Sequence, residues 1–132
     1  MPALGCSAPF FIVTDLRASL EFYRARLGFV VTYTGGGGVD AGEDYFAIVE
    51  RDAAMIMLKE IGAEVRPLPN HTRHEWARWD AYICASDPDA LYQEYIIRSV
   101  PIHRALADTS DKLRAFEVRD NNGYVICFGR PV

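Results

Sequence analysis

TDLRASLEFY, residues 14–23, and SDPDALYQEY, residues 86–95, are two versions of one pattern, and their reading decides the fold. Each begins with a hydroxyl residue and an Asp and ends in aromatic residues. Asp15 and Asp87 are N-cap candidates, because a carboxylate there accepts from the unpaired amides of a first helical turn. Pro88 strengthens the second start, since the first helical position needs no N–H and favours a fixed φ. Leu16, Leu20, Tyr23 and Leu27 recur at helical spacing, which predicts an amphipathic helix over about residues 16–26, stopped at Gly28. Leu91, Tyr92, Tyr95 and Ile96 are the expected buried face of a second helix, about residues 88–98.

Working outward, each helix is flanked by β-prone runs in the same order. FFIV precedes the first, and FVVTYT at residues 29–34 follows it. EDYFAIVE and AAMIMLK then read as a hairpin around Arg51 and Asp52. In the second half a strand is expected over residues 79–85, and PIH at residues 101–103 follows the helix. KLRAFEVR and YVICFG flank Asp120-Asn121-Asn122-Gly123, whose residues tolerate the backbone angles of a tight turn. The order β, α, β, β, β therefore occurs twice, giving an α+β fold in one domain over residues 1–132, with modules at about 8–59 and 78–131. Between them, residues 60–78 are a Pro-rich polar connection expected to be exposed. The glycines at 35–38 lack the Lys and Ser or Thr of a phosphate loop, so they read as a mobile connection bordering a ligand site.

With 132 residues, half of them apolar, the chain can bury one core or two small joined ones. Its 14 Lys plus Arg against 18 Asp plus Glu give a net charge of −4. That balance argues against a nucleic-acid partner, which needs a concentrated basic face; it would suit a cationic ligand, but ordinary solubility is the leading reading of so mild an excess. No stretch reaches transmembrane length and no basic, then apolar leader opens the sequence. Cys6, Cys84 and Cys127 form neither a disulfide framework nor a zinc pattern, so the expected location is a reducing cytoplasm. Cys84 is expected to pack at the end of its strand, and Cys127 to be buried and unreactive.

Chemistry-bearing residues concentrate late in the connection. His71, His74 and Glu75 could approach one ion, yet the pattern is not HExxH and polar residues are expected in such a segment anyway. Trp76 and Trp79, beside Arg78 and Asp80, could wall a pocket for a planar or cationic ligand, or pack at a seam between subunits. By period-two alternation Arg114 and Phe116 share one strand face, and Val125 and Cys127 share one face of the next.

Together, FFIVTDLRASLEFYRARLGFVV, YFAIVERDAAMIMLK, DAYICASDPDALYQEY and LRAFEVRDNNGYVICFGRP resemble the glyoxalase, bleomycin-resistance and extradiol-dioxygenase group, the vicinal oxygen chelate superfamily. The resemblance spans about residues 8–131. It implies paired βαβββ modules that curl mixed sheets around a cleft, usually in a homodimer. Its enzymes chelate a divalent ion with His and Glu on the sheet interiors, for Lewis-acid stabilisation of negative charge. Matched by motif, those donor positions fall near Ala8, at Met55 or Met57, at Asp80 and at Cys127. Two possible ligands are too few for that metal site. The resemblance therefore points to the bleomycin-resistance-like branch of non-catalytic binding proteins, with no cofactor and no metal. On that reading Trp76, Trp79, Asp80, Tyr82, Arg114 and Phe116 bind a cationic or aromatic small molecule in a dimer groove. The rival expectation is a divalent-metal-dependent lyase, isomerase or dioxygenase with a site relocated to His71, His74 or Asp80.

Overall fold

Asp15 and Asp87 cap their helices as the spacing predicts. The Asp15 carboxylate accepts from the Ala18 N–H at 3.2 Å, and that of Asp87 accepts from the Ala90 N–H at 3.0 Å. They open α1, Leu16–Ala25, and α2, Pro88–Ile97, in a computed structural model that describes residues 1–36 and 44–132. The backbone crosses to φ +76° at Gly28, where a Cβ would meet the Arg51 guanidinium at 2.8 Å. Of the glycine run, Gly35 ends a strand and Gly37 and Gly38 lie outside the described residues.

Around α1 stand β1, Phe10–Val13; β2, Val30–Gly35; β3, Phe46–Arg51; and β4, Ala54–Glu60. Around α2 stand β5, Ala81–Cys84; β6, Ile102–Asp108; β7, Leu113–Arg119; and β8, Val125–Pro131. The sheets run β1-β4-β3-β2 and β5-β8-β7-β6. In each, the strand before the helix pairs in parallel with the last strand and the other pairs are antiparallel, so both sheets are mixed. The turns fall where expected: Asp52 takes φ 51° between β3 and β4, and Gly123 takes φ 87° between β7 and β8.

Alternation assigns the faces. Phe11, Val13, Ala47, Val49, Ile56 and Leu58 point to the helix side of the first sheet, and Phe116, Val118, Ile126 and Phe128 to that of the second. With Tyr23, Leu27 and Tyr95 they form one core across both modules. Polar clasps hold the seam. Tyr23 donates to Asp120 at 2.7 Å, Tyr95 donates to the Leu27 carbonyl at 2.8 Å, and Arg51 grips Glu94 through two bonds of 2.7 and 2.9 Å.

Five expectations are corrected. Ile96 is exposed, because Pro88, Leu91, Tyr92 and Tyr95 already fill the stripe of α2 that meets the sheet. Cys84 is exposed too, since it ends an edge strand on the side away from α2. The strand after α2 extends well beyond PIH, to Asp108, while the strand expected over 79–85 shortens to β5. The connection after β4 is partly fastened down: Pro69 is buried and residues Asn70–Thr72 form one 3-10 turn.

Candidate ligand-binding site

The face of the first sheet turned away from α1 carries an uncovered apolar surface. Phe10 pairs with Met57 and Ile48 pairs with Met57, while Tyr33 lies opposite Ile48, so all four side chains share that face. Phe46, two residues from Ile48, joins them. Its ring stacks on Phe10 at 6.0 Å and touches Tyr33 at 6.0 Å, which makes an aromatic row across β1, β3 and β2. Phe10 keeps 57 % of its surface exposed and Tyr33 53 %, although β-strand aromatics of this size normally contribute through burial. A contiguous exposed patch of this kind marks a binding surface more often than an ordinary one.

The corresponding face of the second sheet is polar and partly covered. Glu117 lies opposite Cys127 and Tyr82 lies beside Cys127 in register. Residues at the end of the long connection cover them: Arg78 donates to Glu117 at 3.0 Å and to Asp111 at 2.9 Å, with its guanidinium 4.7 Å over the Trp79 ring. Glu117 is thereby a buried carboxylate with a cationic partner, the condition under which burial of a charge is tolerated. Burial, reinforced by Glu117, pushes the Cys127 thiol up to about 12, so it stays protonated at neutral pH.

The six residues singled out in the sequence do not converge on one cavity. Trp79 and Tyr82 come together, with ring centroids 6.0 Å apart. Trp76 stands apart at 82 % exposure, touching His74. The two Asp80 oxygens accept from the Asn70 and Val125 N–H groups, each at 2.8 Å, so this carboxylate fastens the connection to β8. Phe116 lies inside the core against Tyr92, Tyr95 and Phe128. Arg114 shares its strand face, as expected, and forks onto Asp89 at the start of α2 with bonds of 3.0 and 2.8 Å. The aromatic row of the first sheet was not singled out; the alternation in FFIV already sets Phe10 opposite the core-facing Phe11.

A cleft of about 910 Å³ opens where the β3–β4 turn meets β5 and α2, lined by residues that include Ala54, Met55, Tyr82, Cys84, Leu91 and Tyr95. Arg51 and Glu94 stand in its wall. Their ion pair holds the Glu94 carboxyl below the usual carboxylate range.

The fold and these faces define a two-module βαβββ protein. The chain belongs to the Glyoxalase/Bleomycin resistance protein/Dioxygenase superfamily, whose family model matches residues 7–128. Solved structures carry the same fold. One is the bleomycin-binding protein from bleomycin-producing Streptomyces verticillus complexed with copper(II)-bleomycin, 23 % identical, TM-score 0.67, covering 97 % of this chain and 96 % of that one. A second is TnmS3, an antibiotic binding protein from Streptomyces sp. CB03234, 19 % identical, TM-score 0.66, with 96 % and 97 % covered. A third is a glyoxalase-related enzyme from Clostridium phytofermentans, 11 % identical, TM-score 0.74, with 99 % and 98 % covered. Comparison with curated protein sequences gives no match.

The divalent ion of the family's enzymes does not fit the residues present. The matched donor positions hold Ala8, Met55 or Met57, Asp80 and Cys127: both Asp80 oxygens are taken by the Asn70 and Val125 N–H groups, and the Cys127 thiol stays protonated. Among the described residues, no three His, Cys, Asp or Glu side chains are grouped to hold a metal. His71 contacts the Gly123 carbonyl through Nε2 at 3.0 Å, and His74 accepts from the Trp76 N–H through Nδ1 at 3.1 Å. No helix among the described residues is long and apolar enough to cross a membrane.

Proposed function

We propose that the chain is a small-molecule-binding protein of the bleomycin-resistance type, holding an aromatic, cationic ligand without transforming it. The observation that carries this reading is the aromatic row of Phe10, Phe46 and Tyr33, exposed at Phe10 and Tyr33 and half-buried at Phe46, on a sheet face where the family's enzymes keep metal donors. Planar rings stack on such a row, and desolvation of its apolar area supplies the driving force. Trp79 and Tyr82 are the proposed contacts on the second sheet, with Trp76 at the rim. The excess of acidic residues favours a cation in the vicinity. A binding protein and an antibiotic binding protein among the similar structures support the reading at the level of the fold.

The groove is completed by a second copy of the chain, which covers apolar area the monomer leaves open. Three free thiols suit a reducing cytoplasm as its location. The test is a titration with bleomycin followed by tryptophan fluorescence, in parent and Phe46→Ala protein, with the mass in solution read by sedimentation. Each aromatic contact is worth about 0.5–1.5 kcal/mol beyond its area, so Phe46→Ala should weaken binding roughly threefold to tenfold. Equal affinity in a Phe10→Ala, Phe46→Ala double variant would remove the row from the site.

A further inference from the structure

The two modules correspond residue by residue, and one mismatch between them leaves a vacancy. Counting in both directions from the helix caps Asp15 and Asp87, Phe11, Ile12 and Tyr23 correspond to Ile83, Cys84 and Tyr95. The sheet register agrees: Phe11 pairs with Leu58 as Ile83 pairs with Phe128, and Val49 pairs with Ile56 as Val118 pairs with Ile126. Two residues before Ile56 stands Ala54; two residues before Ile126 stands Tyr124. Both residues leave a hairpin turn on the core-facing side of their strand.

Tyr124 fills the space between its hairpin and the edge strand β1. Its ring lies on Phe11 at 4.2 Å with the planes 6° apart, and its hydroxyl donates to the Ile12 carbonyl at 2.7 Å. At the counterpart position only the methyl of Ala54 projects, and the cleft of about 910 Å³ lies there, with Ile83, Cys84, Leu91, Tyr95 and Phe128 in its lining. The cleft is within the size range of small-molecule sites; Ala54, Ile83, Leu91 and Phe128 supply apolar wall, and Arg51, Asp52, Asp87, Glu94 and Arg130 supply charged groups around it.

We propose that this cleft binds a phenol-like ring, the chemical group that Tyr124 supplies from within the chain on the other side. The ring lies against Ile83 as Tyr124 lies against Phe11, and its hydroxyl points at the carbonyl of Cys84 as that of Tyr124 points at Ile12. The room beyond one ring, toward Arg51 and Glu94, admits a larger molecule bearing such a group. This site is separate from the aromatic row on the first sheet and stands or falls without it.

The probe is p-cresol, the tyrosine side chain as a free molecule, titrated into the full chain with amide chemical shifts as readout. Saturable shifts are expected at residues 83–86 and at Leu91, with tighter binding than toluene, which lacks the donor. Ala54→Tyr should abolish those shifts, while Phe46→Ala should leave them unchanged. Tyr124→Ala should add a second set of shifts at residues 11–13. Absence of saturable shifts in the parent protein would overturn the proposal even where a variant does not fold, as would an unchanged titration in Ala54→Tyr. Toluene binding as tightly as p-cresol would overturn the phenolic assignment.

Discussion

The Tyr23 hydroxyl donates to the Asp120 carboxylate at 2.7 Å, joining α1 of the first module to the β7–β8 turn of the second. Both residues are buried, and Asp120 also accepts from the N–H groups of Asn122 and Tyr124 at 2.8 and 2.9 Å. These three bonds favour the carboxylate. Desolvation opposes them and wins, pushing Asp120 up to about 6.

That shift carries a pH dependence of known sign. An unfolded Asp titrates near 3.9, so between about pH 4 and 6 the native state holds more protons than the unfolded one. Stability from this group is therefore greatest below pH 4, falls as pH rises, and is level above pH 6. Two pH units correspond to at most ~3 kcal/mol. Urea denaturation of Asp120→Asn against the parent should show the variant gaining relative stability from pH 4 to pH 7. A constant difference across that range would contradict the assignment.

Tyr23→Phe removes one of the groups that hold the carboxylate charged. The variant should lose about 1–3 kcal/mol, the cost of leaving a buried acceptor unpaired. The Asp120 titration should also move further up, because the tyrosine bond lowers it. Carboxyl NMR shifts of Asp120 in the two proteins measure this directly; a downward move would show that the bond has been misread.

Across the same seam, Arg51 reaches both Glu94 and the Leu27 carbonyl, the latter at 2.9 Å. A double-mutant cycle with Arg51→Ala and Glu94→Ala should give a coupling on the order of 1–2 kcal/mol, above an ordinary surface pair, since the geometry is bidentate and partly buried. A coupling near zero would mean that solvent screens the pair.

The thiols should sort by burial. In native protein, Ellman's reagent should titrate Cys6 and Cys84 and leave Cys127, which is buried and held protonated. Denaturant should release it. Three thiols reacting rapidly in the native state would show that the face around Glu117 opens.

Much of the fold was legible because local signals agreed with one another. Asp15, Asp87, Gly28 and Gly123 act through their own backbone neighbourhood, so their roles can be read from adjacent residues. The site was less legible, since it depends on register. Trp79 and Tyr82 meet because Tyr82 pairs with Cys127, and Phe116 is buried because it pairs with Phe128 facing α2. Neither partner lies nearby in sequence. The Asp80 carboxylate is taken up by the amides of Asn70, ten residues earlier, and of Val125 in the last strand, and only the fold brings the three together.

The central claim is that the chain binds an aromatic, cationic small molecule without a metal. Calorimetric titration of metal-stripped protein with metal-free bleomycin, at fixed ionic strength and two temperatures, tests it most directly. The account predicts saturable binding near one ligand per chain, about −8 kcal/mol or better for micromolar affinity, with a negative heat-capacity change from apolar burial. No detectable heat at either temperature would contradict it.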